Sequence, residues 1–233
     1  MATMILVRHG RTTANASGVL AGRADGIRLD DVGRGQAERT AARLADVPLA
    51  AVVSSPLERC RQTAGIILDR QQGSPATPVE DGITECDYGE WQSRTLKDLA
   101  SEKLWAVVQN QPSAVVFPGG ESMLTMQSRA VATVRRIDAA IEAEHGPGAV
   151  WAAVSHGDII KSILADAYGM HLDLFQRISV GPASVSIVRY GPSRPEVIAT
   201  NTDSGDLSWL RTAPPAADAP IGGGAGPEAA ARS

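Results

Sequence analysis

The stretch MILVRHGRTTAN, residues 4–15, decides both the fold class and the position of the chemistry. Met4–Val7 is an apolar run without polar alternation, which predicts a strand that is buried on both faces of a sheet. Arg8 and His9 follow at once, where this strand ends. Because ligands bind outside the carboxyl ends of the strands in open parallel sheets, this pattern indicates a binding site at that edge.

The same arrangement recurs along the chain. Ala50–Val53 and Ala149–Val154 are two further apolar runs that predict buried strands. Helical or amphipathic patterns lie between and after them, at Gly33–Asp46, Leu57–Arg70, Leu96–Val108, Glu121–Glu144 and Asp158–Tyr168. Ser55 and Pro56 suit the cap and the first-turn proline of the second helix. Strands that alternate with helices predict parallel βαβ units, and so an α/β fold.

The remaining segments complete a one-domain plan. Ser184–Tyr190 alternates as a strand does, and Glu196–Thr200 is expected to pair with it through a turn. Residues 1–211 are expected to form a single domain, with a lid insertion at about 88–120 over one end of the sheet. Thr212–Ser233 is rich in Ala, Pro and Gly and lacks aromatic residues, which predicts a disordered tail.

Composition excludes several classes of partner. The formal net charge is -4 and the sequence pI is near 5.6, so neither nucleic acid nor an anionic membrane is an expected partner. The apolar run before Arg8 is too short for a signal peptide or a membrane span. Cys60 and Cys86 form no CxxC pair, which favours a reduced compartment. We expect a soluble, cytoplasmic protein.

Cationic and imidazole groups follow the three predicted strands. The first strand ends in Arg8 and His9, the second is followed by Arg59, and the third by His156 and Gly157. Arginine binds phosphate oxygens bidentately and keeps its charge, and an imidazole nitrogen can attack phosphorus. If the strands are neighbours, these groups converge on one phosphoryl-binding site, with glycine permitting close backbone approach.

These motifs resemble the histidine phosphatase superfamily, also called the phosphoglycerate mutase-like family. Four elements carry the resemblance: RHGRTTAN at Arg8–Asn15, SPLER at Ser55–Arg59, ITECDYGEW at Ile83–Trp91 and SHG at Ser155–Gly157. The resemblance extends from about Met4 to Ala199. It implies the three-layer α/β/α architecture with a mostly parallel central sheet that is typical of this family.

The resemblance also implies roles for individual residues. His9 would become phosphorylated, and Glu85 would act first as general acid and then as general base. The phosphoryl group would be bound by Arg8, Asn15, Arg59, His156 and Gly157. No HxH or HExxH spacing is present, and the arginines would repel a cation, so neither a metal nor another cofactor is expected.

Several residues admit a second interpretation. Asp87 and Glu90 lie close enough to compete with Glu85 for the acid role. Arg11 departs from the acidic residue common in the family; it would favour a more anionic substrate or, as we expect, simply be solvated. Trp91 and Trp105 are expected either to pack in the lid or to line the substrate mouth. The other candidates are expected to be structural or surface residues: Cys60, Arg61, His145 and His171.

Three functions fit the pattern. The first is a phosphatase acting on a small phosphorylated metabolite. The second is a phosphoglycerate-type mutase, but the expected basic insertion is missing, since residues 88–120 contain only Arg94, Lys97 and Lys103 as cations. The third is a non-catalytic relative that binds a phosphorylated ligand. Because members of this family are often dimers, a homodimer is an alternative to a monomer.

Overall fold

Within residues 2–205 and 221–224, which the computed structural model describes, five strands form one sheet in the order β2-β3-β1-β4-β5. The strands are β1 at Thr3–Arg8, β2 at Leu49–Ser54, β3 at Val150–Ser155, β4 at Val185–Tyr190 and β5 at Pro195–Thr202. β1 and β2 pair in parallel with β3, whereas β4 and β5 are added antiparallel beside β1. The predicted α/β fold, its mostly parallel central sheet and its C-terminal hairpin are confirmed.

Side chains alternate across the sheet and supply two separate cores. Met4 and Leu6 face one core, while Ile5 and Val7 face the other. The α-helices are α1 at Thr13–Ala16, α2 at Asp31–Leu44, α3 at Glu58–Leu68, α4 at Leu96–Leu99, α5 at Lys103–Asn110, α6 at Met123–His145 and α7 at Gly157–Ala167. Helices α2 and α3 cover the Ile5 face, and α6 and α7 cover the Met4 face. This is the expected three-layer arrangement.

The start of α3 differs from the prediction. Leu57 is its N-cap residue and makes no side-chain capping bond, so Ser55 and Pro56 both precede the helix. The hydroxyl of Ser55 instead lies 2.7 Å from Nε2 of His156. A capping serine was the wrong interpretation because the partner of this hydroxyl comes from a strand end far along the chain.

The segment between Glu85 and α6 packs against the core through aromatic rings. Tyr88 and Trp91 both make edge-to-face contacts with Phe117, and Trp91 stacks on Trp105. The amphipathic pattern predicted over residues 96–108 divides into α4 and α5. Trp91 is buried, so it serves packing and does not line the substrate mouth.

The predicted disordered tail falls largely outside the described residues. Positions 212–220 and 225–233 lie outside them, and for those positions disorder stays a prediction. Ile221–Gly223 forms a single turn, and Ile221 is 2% exposed within the core that contains Met4. In the described part of the chain, no helix combines the length and the apolar character that a membrane crossing needs.

Candidate active site

The parallel pairing of β1 with β3 places the two histidines side by side. Arg8 is opposite Ser155 in the register, so the residues that follow, His9 and His156, leave the sheet together. Their ring centroids are 5.3 Å apart. Both imidazoles are buried at the carboxyl edge of the sheet. His9 lines the cavity there, whereas His156 is not among the described residues that line it.

His9 has one nitrogen committed and one available. Its Nδ1 lies 2.8 Å from the carbonyl oxygen of Gly10. Because a carbonyl can only accept, Nδ1 carries the hydrogen and Nε2 keeps its lone pair. Burial lowers the pKa of His9 well below its ordinary value, and the charges of Arg59 and Arg8 lower it further. A neutral imidazole with a free Nε2 is the form that can attack phosphorus.

His156 is held by a network from α3. Nη2 of Arg59 donates to Nδ1 of His156 at 3.2 Å, so the hydrogen lies on Nε2, which donates to Ser55 Oγ. Burial, followed by the charge of Arg59, lowers the pKa of His156 well below its ordinary value. Cys60 packs against the same ring, and burial raises the pKa of its thiol to about 12. Cys60 is therefore a protonated packing residue, as expected.

Glu85 is a buried carboxyl group beside the two rings. One oxygen accepts a hydrogen bond from the backbone N–H of Cys86 at 3.0 Å, and the other lies 3.9 Å from Nδ1 of His156. Burial and then the charge of Asp158 raise the pKa of Glu85 to about 7. Such a group can release and recover a proton near neutral pH.

The backbone around Glu85 is tied to the sheet and to two arginines. Ser155 Oγ donates to the carbonyl oxygen of Ile83 at 2.7 Å. Arg23 Nε and Arg129 Nη2 donate to the carbonyl oxygen of Glu85 at 2.8 and 3.1 Å. These bonds hold the carboxyl group at a constant position relative to the end of β3.

The competing acids lie elsewhere. Asp87 is 39% exposed at its side chain, where one oxygen accepts from the N–H of Gly89 and the other lies 3.7 Å from Arg23. Neither Asp87 nor Glu90 is among the described residues that line the cavity, whereas Glu85 is. We therefore keep Glu85 as the proposed general acid.

The two arginines differ in their surroundings. Arg59 lines the cavity, where Nη2 also donates to the carbonyl oxygen of Gly22 at 2.7 Å. Arg8 lies behind the cavity wall, and its Nη1 donates to the carbonyl oxygen of Val180 at 2.8 Å. Its Nη2 donates to carbonyl oxygens of Gly222 and Gly224. Burial lowers the pKa of Arg8 to about 10, which leaves it cationic at neutral pH.

Asn15 lines the cavity in a capping box at the start of α1. Its Oδ1 accepts hydrogen bonds from the backbone N–H and the hydroxyl of Thr12. The loop before it passes very close to α2, because a Cβ added to Gly10 would lie 2.3 Å from the carbonyl oxygen of Gly33. Gly10 is thus required by backbone approach. Gly157 is the buried first residue of α7 and does not belong to the described cavity lining.

These groups surround a cavity with an empty volume of about 390 Å³, part of which is open to solvent. Its polar side is formed by His9, Asn15, Arg59 and Glu85. Its other side is formed by apolar residues and backbone, namely Gly18, Val19, Leu20, Ala21, Leu96, Ile221, Gly222 and Gly224. The polar side of this cavity matches the chemistry of a phosphoryl group, and the apolar side matches that of a small organic group.

Residues outside the expected site take ordinary roles. Arg11 is neither solvated nor part of the cavity lining, since it forms an ion pair of 2.8 Å with Asp30. Arg61, His145 and His171 are exposed, as expected.

Sequence reasoning missed Asp158, Tyr88 and the glycines near the C-terminus. Asp158 follows the SHG motif directly, and its Oδ2 accepts from the hydroxyl of Tyr88 at 2.7 Å. Adjacency to the motif was the available signal for Asp158. Nothing in the sequence pattern linked Gly222 or Gly224 to the site.

The family is established by comparison with known proteins. The family model of the histidine phosphatase superfamily (branch 1) matches residues 4–203, and the chain therefore belongs to this superfamily. The "Phosphoglycerate mutase-like protein 4" of Arabidopsis thaliana is 30% identical over 166 residues, which cover 70% of this chain and 69% of that protein. The "Probable phosphoglycerate mutase GpmB" of Yersinia pestis is 30% identical over 196 residues, 83% and 87% of the two chains.

Solved structures show the same fold. YhfR of Bacillus stearothermophilus superposes with a TM-score of 0.76 at 25% identity, over 89% of this chain and 98% of its own. The mycobacterial glucosyl-3-phosphoglycerate phosphatase superposes with a TM-score of 0.77 at 22% identity, over 86% and 99% of the two chains. Members of the superfamily are phosphatases or mutases, which supports an enzymatic function.

Proposed function

We propose that this protein is a phosphatase that hydrolyses a small phosphate monoester through a phosphohistidine on His9. One observation carries the proposal: a neutral buried imidazole with a free Nε2 shares its cavity with a guanidinium and with a carboxyl group that titrates near neutral pH. This combination supplies a nucleophile, a charge for the phosphoryl oxygens and a proton for the leaving group.

In the first step, Nε2 of His9 attacks phosphorus and the bond between phosphorus and the ester oxygen breaks. Protonated Glu85 donates its proton to that oxygen, so the product leaves as a neutral alcohol. Arg59, with Arg8 behind it, stabilises the charge on the equatorial oxygens. Asn15, His156 and Gly157 are the remaining phosphoryl-binding groups of this proposal. Asn15 lines the cavity, whereas His156 and Gly157 are not among the described residues that line it.

In the second step, the Glu85 carboxylate accepts a proton from water as that water attacks the phosphohistidine. The N–P bond breaks, inorganic phosphate forms, and His9 returns to its neutral state. Glu85 is again protonated, so the cycle closes without a metal or other cofactor.

The charge of the cavity favours hydrolysis over mutase chemistry. A phosphoglycerate-type mutase must retain an anionic intermediate, which calls for additional cations around the organic group. Among the described residues that line the cavity, Arg59 is the one cationic side chain. Arg94, a cation of the lid segment, forms an ion pair with Glu102 at 2.6 Å. The substrate is therefore proposed to be a monoester with a compact organic group that carries little additional charge.

The proposed setting is the cytoplasm. Cys60 and Cys86 are both free and buried, which fits a compartment that keeps thiols reduced. Neither nucleic acid nor a membrane is a proposed partner.

The decisive experiment is a phosphate-release screen over metabolite monophosphates, with His9→Ala as the blank. Acid-labile, base-stable ³²P on wild-type protein, quenched during turnover and absent from His9→Ala, is the expected signature of phosphohistidine. A parallel assay of 3-phosphoglycerate conversion to 2-phosphoglycerate tests the mutase. Phosphate release with no conversion supports the phosphatase, conversion without release supports the mutase, and binding without either supports a non-catalytic relative. EDTA is expected to leave the rate unchanged.

A further inference from the structure

Three residues near the C-terminus belong to the wall of the cavity. Ile221, Gly222 and Gly224 line it together with Leu20. Ile221 is buried in the main core, and the segment packs on α7. The family match ends at residue 203, so this wall is supplied by a part of the chain that lies beyond the matched domain.

The segment is attached to the site through two buried charged groups. The N–H of Gly222 donates to Oδ2 of Asp158 at 3.0 Å. Nη2 of Arg8 donates to the carbonyl oxygens of Gly224 and Gly222 at 2.7 and 3.1 Å. Asp158 and Arg8 are both fully buried. Buried charges need hydrogen-bond partners, so these three bonds stabilise both the segment and the site.

Glycine is required where the segment turns into the cavity. Gly222 has φ +72°, and a Cβ added there would lie 3.2 Å from Cδ1 of Leu20. Gly224 also has a positive φ, of 54°. A side chain at either position would be strained, and at Gly222 its Cβ would press against Leu20, which favours displacement of the segment.

We propose that Ile221–Gly224 is a specificity-determining wall that restricts the enzyme to esters with a compact leaving group. The wall borders the cavity beside Leu20, and its backbone also contacts Arg8 behind the cavity. An ester with a larger organic group would have to displace the segment and break its bonds to Asp158 and Arg8. This inference rests on the proposed phosphatase function, because it assigns the size of the group that the phosphatase accepts.

Two variants displace the wall by different means. Ile221→Ala removes the apolar anchor, and Ile198→Ala on β5 is the matched control, since Ile198 is 49% exposed. Gly222→Val keeps the anchor but is incompatible with the observed φ. Phenyl phosphate and 1-naphthyl phosphate have leaving groups of similar chemistry and different size, so their kcat/KM ratio reports the space at the wall.

Both wall variants are expected to raise the naphthyl-to-phenyl ratio of kcat/KM about tenfold, a typical discrimination for a modest change in pocket size. The control is expected to leave the ratio unchanged. An unchanged ratio in both wall variants would overturn the proposal and leave the segment a packing element. An equal rise for both esters would also overturn it, because it would indicate general inhibition by the segment instead of size selection.

Binding separates this inference from the proposed function. Calorimetry with phenylphosphonate and 1-naphthylphosphonate needs no turnover, and the wall variants are expected to improve the relative affinity for the naphthyl compound. If either Ile221→Ala or Gly222→Val does not fold, the same measurement on the other variant tests the proposal. If the wild-type protein binds phenylphosphonate more tightly than 1-naphthylphosphonate but hydrolyses neither ester, the result contradicts the proposed function and supports the wall.

Discussion

The two ends of the sheet both carry cavities, and the smaller cavity holds the chemistry. At the carboxyl end, about 390 Å³ is bordered by His9, Arg59 and Glu85. At the amino end, a cavity of about 1220 Å³ lies between the loops before β2 and β3 and includes Asp46 and His145. Converging buried charges therefore identify a site of this kind, and cavity size does not.

The difference follows from the direction of the strands. At the carboxyl end, the chain passes from strand to helix, so the N-termini of α3 and α7 lie at that end of the sheet. At the amino end, the chain returns from helix to strand through exposed turns such as Gln71–Gly73. His145 is 41% exposed at its side chain and lies 3.9 Å from Glu144. Solvent surrounds this histidine, so it lacks the enclosure that tunes His9.

The largest expected effect tests this comparison directly. His9→Ala removes the proposed nucleophile, and we expect kcat for the best substrate to fall by about 10⁴-fold or more. His145→Ala is the matched change at the opposite end and should leave kcat within about twofold, as an exposed site predicts. Steady-state phosphate release measures both. Equal losses in the two variants would show that the two ends of the sheet do not differ in function, and an active His9→Ala enzyme would falsify the nucleophile assignment.

Replacement of the cavity guanidinium is expected to have the next largest effect. Arg59→Lys keeps a positive charge but loses the planar fork that contacts both His156 and the carbonyl oxygen of Gly22. We expect kcat/KM to fall by about 10²-fold. Arg61→Lys, on the exposed face of α3, is the control and should be silent. A full-rate Arg59→Lys enzyme would show that the cavity needs charge alone.

Glu85→Gln tests proton transfer at the carboxyl end of the sheet. Esters with poor leaving groups should slow by about 10²-fold or more, whereas p-nitrophenyl phosphate should slow much less. In the wild type, kcat for alkyl esters should decline above pH 7, because Glu85, with its pKa near 7, then loses the proton it donates. Because the pKa of His9 is lowered, its imidazole stays neutral at pH values at which an ordinary histidine would be protonated. Equal slowing of both ester types, or an unchanged alkaline decline in Glu85→Gln, contradicts the acid role.

The smallest expected effect concerns stability. The pKa of Glu85 is raised from 4.5 to about 7, so the folded state binds this proton more tightly than the unfolded state does, and stability falls as pH rises through this range. Glu85→Gln removes the buried charge and should stabilise the fold above pH 7 by on the order of 2 kcal/mol. That corresponds to a rise in Tm of about 5 °C. Melting curves at pH 8 and pH 4 measure it, and an equal shift at both pH values would exclude this cause.

Much of the fold could be predicted because its signals are local. Met4–Val7 and Ala149–Val154 are apolar runs that only buried strands explain well, and the residues after each run are polar by contrast. The predicted start of α3 was wrong for a non-local reason, since the short hydrogen bond of the Ser55 hydroxyl, 2.7 Å, joins it to His156, and its bond from the N–H of Leu57 is longer, at 3.4 Å. Arg11 was likewise misplaced, because Asp30 pairs with it across the loop before α2.

The strand and helix plan, the family and the set of residues at the carboxyl end of the sheet could be predicted from the sequence, because period, polarity and motif order are written along the chain. The tautomer of His9, the raised pKa of Glu85 and the residues that line the cavity emerged from the folded structure. Those properties depend on burial and on atoms brought together from distant positions, such as Asp158 and Gly222. The order of residues along the chain reports neither burial nor the contacts between distant residues.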